Sequence, residues 1–129
     1  MINPLGFVIV DKPPGLTSHD CVNRLRKAIG IKRVGHGGTL DPSVTGVLPI
    51  AIGSATRLLT YLPGEKSYEG MIQLGKQTNT DDLDGEILSD NHWPKLDKQV
   101  IQTCLENFQG QIKQSPPIFS SVHIQGERA

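Results

Sequence analysis

The residues best suited to chemistry lie in a glycine-rich segment, residues 35–42. This segment holds an imidazole, His36, and a carboxylate, Asp41, with Gly37 and Gly38 between them. Glycines allow a backbone to come close to a ligand, and an aspartate that precedes a proline is biased towards extended backbone. A carboxylate held there could act as a nucleophile or a base. The plainer alternative is a solvated Asp-Pro turn.

Tyr68 is a second candidate. In residues 67–74 it alternates onto one face with Ile72 and Leu74, which predicts a strand. An ordinary core tyrosine is the simpler interpretation. The functional alternative is an aromatic platform for a nucleobase, with a phenol available for proton chemistry.

Other patterns fail as chemical sites. Ser18, His19 and Asp20 have the residue types of a triad, but consecutive residues cannot converge as one, so Ser18 and Asp20 are predicted to cap a helix. Residues 80–85 resemble a calcium loop but lack its bidentate glutamate, which favours an acidic turn. The glycine-rich segment fits no Walker pattern. No metal site is expected, and the two cysteines are predicted to be free thiols.

The elements around these residues follow from apolar spacing. Residues 7–10 and 48–52 predict strands, the first buried and the second with Pro49 near its start or at an edge. A helix capped near Thr17 is expected to end at Gly30. A second helix is expected after Ser54, and a third after Asp97 that ends at Gly110 and carries an apolar stripe.

Further expectations concern the polar and C-terminal segments. Residues 75–95 predict an irregular excursion or a hairpin, and Ile112 and residues 120–124 predict strands. The resulting fold class is α+β, with a mixed, mainly antiparallel sheet flanked by helices.

Composition excludes several classes. The 129 residues have zero formal net charge, which argues weakly against a generic nucleic-acid coat protein. The balance is uneven, however. Residues 1–60 carry seven cations and three anions, whereas residues 61–129 carry six cations and ten anions. Such asymmetry can mark a surface that faces a polyanion, although a solvated helix face is the plainer alternative. No membrane span or secretory signal is expected.

Taken together, these segments resemble the TruB family of tRNA pseudouridine synthases. The matching stretches are residues 6–13 with Gly15 and Ser18, residues 35–42 with 45–49, residues 66–68, Gly75 with Thr78, Thr80, Asp82 and Gly85, and residues 116–121 and 126–129. The similarity runs in order along essentially the whole chain.

The resemblance implies a pseudouridine synthase fold and an enzyme that isomerises uridine 55 in the T loop of tRNA to pseudouridine. Asp41 matches the catalytic aspartate. Tyr68 matches the active-site tyrosine, which would stack on the target base. His36 matches a histidine near the flipped nucleotide, and Lys12 matches a lysine with a supporting role. Gly37 and Gly38 would let the backbone approach that nucleotide, and no metal or organic cofactor is implied.

The resemblance also sets expectations for context. The partner would be the T arm of tRNA, and the protein would be a cytoplasmic monomer. Residues 1–129 would form the N-terminal part of a catalytic domain, since family members carry a later arginine that pairs with the aspartate and usually a C-terminal RNA-binding domain. Two alternatives stay open: a non-catalytic RNA-binding or tRNA-folding module, and an incomplete product without a function of its own.

Overall fold

The chain forms two compact units in a computed structural model, residues 1–67 and residues 68–129. The structure describes residues 5–114, 123, 124, 127 and 128. Each unit is described by itself. No helix in the described part of the chain is both long and apolar enough to cross a membrane.

The first unit is built on a three-stranded antiparallel sheet. Strand β1 covers Gly6–Lys12, β2 covers Val34–His36 and β3 covers Gly46–Ile52. β3 is central, in the order β1-β3-β2. Phe7 lies opposite Ala51 in one pair, and His36 lies opposite Ile50 in the other. The apolar runs predicted β1 and β3 correctly.

Helix α1, Ser18–Ile29, begins and ends as the sequence predicts. Thr17 is the N-cap, and its hydroxyl accepts a hydrogen bond from the amide of Asp20 at 3.0 Å. The Asp20 carboxylate in turn accepts from the Thr17 amide at 2.9 Å, which completes a capping box. Gly30 closes the helix in the left-handed conformation, with φ of 69°.

The core of this unit lies where α1 packs on one face of the sheet. Its buried members come from α1, β2 and β3, and are Cys21, Val22, Val34, Leu48 and Ile50. Partly buried residues around them include Val10, Leu16 and Leu40. Cys21 is a buried free thiol and Cys104 an exposed one, as expected.

The prediction that β1 is buried is wrong. Phe7, Val8 and Ile9 are all exposed, with 64 % of Ile9 accessible. β1 lies at one edge of the three-stranded sheet. Of residues 7–10, only Val10 packs on the core, whereas the charged residue Lys12 is fully enclosed. The apolar side chains of β1 therefore did not predict which of its residues are buried.

Pro49 was predicted near the start of its strand or at an edge, and this is wrong. It lies in the middle of β3, the central strand. The register explains why a proline is tolerated there. The carbonyl of Pro49 accepts a hydrogen bond from the amide of Gly37 at 2.8 Å, beyond the end of β2. The missing N–H of Pro49 points to the same edge as its carbonyl, so no hydrogen bond of the paired strands is lost.

A 3₁₀ helix, Gly53–Tyr61, follows β3. Its N-cap is Ile52 without a side-chain hydrogen bond, so the prediction that Ser54 caps this helix is wrong. Gly53, with φ of 65°, turns the chain one residue earlier. Its amide is held by the carbonyl of Arg33 at 2.8 Å.

The second unit contains short elements. Strands β4, Lys76–Thr78, and β5, Ile87–Asp90, form an antiparallel hairpin within the polar segment. Of the two alternatives for residues 75–95, the hairpin is therefore confirmed. Helix α2 covers Lys98–Glu106 and is capped by Asp97, as predicted. Strands β6, His123–Ile124, and β7, Glu127–Arg128, pair antiparallel. Helices with antiparallel sheets confirm the α+β class.

Several expectations for this unit are wrong. Residues 67–74 form no strand, and side chains such as Ile72 are exposed. A short alternating pattern needs a neighbouring strand to become a sheet, and these residues pair with none in the described structure.

The apolar stripe of α2 is exposed, and that helix ends at Asn107 rather than Gly110. Ile112 lies outside any strand. Of the expected strand at 120–124, residues 123 and 124 lie in β6 and residues 120–122 fall outside the described residues.

Candidate active site

Asp41 lies in the loop that joins β2 to β3, and it is exposed. Its backbone carbonyl accepts a hydrogen bond from the amide of Val44 at 3.1 Å, which closes a turn. Within the described residues its carboxylate takes part in no ion pair. A free carboxylate on a turn can approach a ligand from solvent.

The residue before Asp41 is fixed by a side chain distant in the sequence. The amide of Leu40 donates to the hydroxyl oxygen of Ser18 at 2.9 Å. The same hydroxyl donates to the carbonyl of Leu40 at 3.3 Å. Ser18 is only 2 % exposed. The peptide groups on both sides of Leu40 are therefore tied to the start of α1.

The residue after Asp41 is fixed in a similar way. The carbonyl of Pro42 accepts from the amide of Gly15 at 2.7 Å and from the ammonium of Lys12 at 3.2 Å. Lys12 is the last residue of β1, and Gly15 lies between β1 and α1. Asp41 thus lies between two neighbours that are each held by groups of residues 12–18.

Lys12 is fully buried at the end of β1. Besides the Pro42 bond, its ammonium donates to the carbonyls of Leu16 at 2.7 Å and Pro13 at 3.1 Å. Three carbonyl dipoles satisfy all three N–H groups of a lysine, which is the condition for burying this charge. Through its bond to the Pro42 carbonyl, Lys12 therefore holds the Asp41 loop against the end of β1.

His36 ends β2 and is partly buried. Its Nδ1 lies 2.6 Å from the carbonyl of Gly38. A carbonyl oxygen only accepts, so this bond places a proton on Nδ1 and leaves Nε2 as the acceptor of the neutral ring. The ring is thereby oriented by the glycine-rich loop itself.

The two glycines after His36 differ in their surroundings. A Cβ at Gly37 would overlap the Leu62 side chain and would lie 3.2 Å from the Pro49 ring. A Cβ at Gly38 would meet nothing within 4 Å. Packing against the end of the 3₁₀ helix therefore explains the glycine at position 37, while position 38 faces open space.

Tyr68 is the first residue of the second unit, and 68 % of it is accessible. It lies in an irregular segment rather than in the strand that the sequence predicted. The structure therefore describes it as an exposed aromatic side chain, so the alternative of an ordinary core tyrosine is wrong for the described unit.

The basic residues of the first unit fall into two groups. Arg26 is used within the fold, because its guanidinium donates to the carbonyl of Val34 at 2.7 Å and to the side chain of Asn23 at 3.1 Å. Six others are exposed, namely Arg24, Lys27, Lys32, Arg33, Arg57 and Lys66. Arg33 also donates to the Thr56 hydroxyl at 2.9 Å. This unit therefore presents cationic side chains to solvent.

The acidic segment 80–85 is a turn between β4 and β5, as predicted. The Asp82 carboxylate accepts from the Thr80 hydroxyl at 2.7 Å and from the Asp84 amide at 3.0 Å. Those two bonds, the Thr80 bond first, lower the pKa of Asp82 below its usual value. Across the described residues, no three His, Cys, Asp or Glu side chains are grouped to hold a metal ion.

A family model described as TruB family pseudouridylate synthase (N terminal domain) matches residues 26–129. The chain belongs to this family. It is 67 % identical, over 129 residues, to a tRNA pseudouridine synthase B of Prochlorococcus marinus strain NATL2A, covering 41 % of that protein. It is also 63 % identical, over 126 residues, to the protein of that name from Synechococcus sp. strain CC9311, covering 98 % of this chain and 42 % of the relative.

The fold is also similar to that of a solved structure. The crystal structure of a Cbf5-Nop10-Gar1 complex matches with a TM-score of 0.63 and 32 % identity, over 92 % of this chain and 31 % of the matched chain. The chain thus spans well under half the length of the curated TruB relatives it resembles.

Sequence reasoning missed one residue of the candidate site. It assigned Ser18 to helix capping, yet Thr17 makes the cap and Ser18 bonds to Leu40 instead. A polar residue in the first turn of a helix has no local signal that separates these roles. The resemblance included Ser18 among the matching residues but gave it no role.

Proposed function

We propose that this chain forms the N-terminal part of the catalytic domain of a cytoplasmic tRNA pseudouridine synthase that acts on uridine 55 in the T loop. Family membership and the names of its relatives support the activity. The observation that carries the proposal is an exposed Asp41 carboxylate whose two neighbouring residues are fixed by buried groups. A nucleophile needs both access and a defined position.

The proposed reaction is an isomerisation whose atoms balance without a co-reactant. The target base must first leave the stack, at a cost of roughly a few kcal/mol. The Asp41 carboxylate attacks the ribose C1′, or assists there, and the bond from C1′ to N1 of uracil breaks. The uracil rotates, and C5 forms a bond to C1′ while the carboxylate is released. C5 loses its proton, and N1 gains one.

The other candidate residues have supporting roles in this proposal. The accessible ring of Tyr68 would stack on the target base, and its phenol could help remove the C5 proton. His36, whose Nδ1 is engaged by Gly38, would offer Nε2 to the flipped nucleotide. Open space at Gly38 would let the backbone approach that nucleotide. Lys12 would hold the Asp41 loop.

The exposed cations of the first unit supply the matching electrostatics. Contacts to RNA phosphates release counterions, so binding to a T arm should weaken as salt increases. Arg24, Lys27 and Lys32 are examples of side chains free to make such contacts. The low net charge of the whole chain does not prevent this, because the acidic excess belongs to residues 61–129.

The proposal is tested by tritium release from C5-labelled uridine in a T-arm RNA, with the full-length protein. We expect Asp41→Asn to lose turnover because an amide cannot act as the nucleophile. Its fold should be unaffected, since the carboxylate is exposed. Asp81→Asn is a matched control at another exposed aspartate, where a positive φ of 60° suits asparagine. Equal turnover by wild type and Asp41→Asn would refute the proposal.

A second candidate is a non-catalytic RNA-binding or tRNA-folding module. The exposed cations favour it, as does a carboxylate without an ion pair among the described residues. It predicts salt-sensitive binding of a T-arm RNA by this chain with no pseudouridine formed. Absence of binding at low salt would exclude it.

A further inference from the structure

We propose that Ser18 is a positioning residue for the reaction of Asp41. This inference rests on the proposed function, in which Asp41 is the reacting carboxylate. Ser18 would act through the backbone of Leu40 and would touch neither RNA nor the reacting atoms.

The bonding of Ser18 separates it from ordinary helix capping. Thr17 and Asp20 already satisfy the first turn of α1 through their capping box. The Ser18 hydroxyl instead accepts from the Leu40 amide at 2.9 Å and donates to the Leu40 carbonyl at 3.3 Å. One buried hydroxyl therefore fixes both peptide groups of a residue that lies 22 positions along the chain.

These bonds act on Asp41 because of where they fall. The carbonyl of Leu40 belongs to the peptide that leads directly into Asp41. On the other side, Pro42 is held by Gly15 and Lys12. Without the Ser18 hydroxyl, the loop would be pinned on one side of Asp41 only. The carboxylate would then sample positions from which it cannot reach the ribose carbon.

A misplacement of about 1 Å at a reacting group can lower a rate by roughly a hundredfold. We therefore expect Ser18→Ala to lower kcat between about tenfold and a hundredfold. KM for the T-arm RNA should stay within about threefold of wild type, since Ser18 is enclosed and makes no contact with solvent-borne RNA.

The experiment uses the full-length protein and compares Ser18→Ala with Thr17→Ala. Thr17→Ala removes the cap of α1, whereas Ser18→Ala, at the next residue, removes the bonds to Leu40. Initial rates are measured under multiple turnover over a range of T-arm RNA concentrations, which gives kcat and KM separately, at a temperature where circular dichroism shows every variant folded. Thr17→Ala should lose stability and keep a kcat near wild type.

Ser18→Thr separates positioning from stability. It keeps the hydroxyl but adds a methyl group in a site that is 2 % exposed, so its stability should fall. Its kcat should nevertheless exceed that of Ser18→Ala. Equal rates for Ser18→Ala and Thr17→Ala, or rates that follow stability rather than the hydroxyl, would overturn the inference.

An Asp41→Asn arm keeps the two proposals distinct. If Asp41→Asn turns over like wild type, the proposed function fails, and the positioning inference fails with it. If Asp41→Asn is inactive while Ser18→Ala matches wild type in kcat, the proposed function stands and the positioning role is overturned.

Discussion

Replacing Lys12 with methionine removes an ammonium while keeping a side chain of similar length and volume. Lys12 is fully buried, and its three donors reach the carbonyls of Pro13, Leu16 and Pro42. The Pro42 carbonyl keeps the amide of Gly15 as a donor. The other two carbonyls lose the ammonium, and the methionine thioether offers no N–H in its place.

The magnitude follows from these bonds. A carbonyl left without a partner costs about 1–3 kcal/mol where it is buried, and less at Pro13, which is exposed. Two such losses are offset in part because methionine needs no desolvation of a charge. We therefore expect Lys12→Met to lower the free energy of unfolding by about 2–4 kcal/mol. Typical domains are stable by about 5–15 kcal/mol, so the variant should still fold.

Urea denaturation followed by circular dichroism measures this loss. The midpoint should fall while the dependence on urea stays the same, since the folded and unfolded surfaces are unchanged. Lys95→Met is a matched control at an exposed lysine and should change the free energy of unfolding by less than about 0.5 kcal/mol. If Lys12→Met is as stable as Lys95→Met, the three carbonyl bonds do not stabilise the fold and the structural role assigned to Lys12 is wrong.

Two further predictions concern other parts of the chain. Gly75→Ala should destabilise by roughly 2–4 kcal/mol, because position 75 has a positive φ of 85° and its Cβ would overlap the Trp93 ring; Gly38→Ala, which meets open space, is the control, and equal unfolding midpoints would contradict this. The pKa of Asp20 lies below its usual 3.8, chiefly because the Thr17 hydroxyl donates to it. Its stabilising effect is therefore complete above that value and is lost as the pH falls through the lowered pKa, so the difference in unfolding midpoint between wild type and Asp20→Ala should shrink from about pH 6 to about pH 3; a constant difference would count against the capping box.

Local patterns predicted α1 well because its signals lie within a few residues of each other. A threonine N-cap, an aspartate three residues on and a terminal glycine each act on neighbouring backbone groups. Asp97 predicted the start of α2 for the same reason. Elements that are set by contacts inside a single turn can be predicted without information about the rest of the fold.

Patterns that depend on a partner were less informative. The alternation around Tyr68 predicted a strand, yet a strand needs a neighbour, which the alternation alone does not specify. Pro49 was expected near a strand start or at an edge because proline cannot donate. Only the register shows that the missing donor of Pro49 faces the end of β2.

The candidate site shows the same division in a different form. The residue types around Asp41 indicated a carboxylate with room around it, and the family resemblance gave it a role. The resemblance gave Lys12 a supporting role, but local patterns did not show how Asp41 is held, because Lys12 and Ser18 bond across 30 and 22 positions of the chain. Hydrogen bonds of that span depend on how α1 packs on the sheet, which local spacing does not determine.

The structure gives a physical reason why two separate stretches of the sequence belong together. The stretch around Lys12 and Ser18 carries no reactive group in the proposed mechanism, yet it supplies side-chain and backbone donors to both neighbours of Asp41. The Lys12 ammonium can be buried only if carbonyl groups accept its hydrogen bonds, and the Asp41 loop is fixed only if donors bond to its carbonyl groups. Each satisfies the other, so the charge that the first stretch buries is also what helps to keep the second in one conformation. A loop rich in glycine, which would otherwise be mobile, can in this way present a carboxylate at a fixed position.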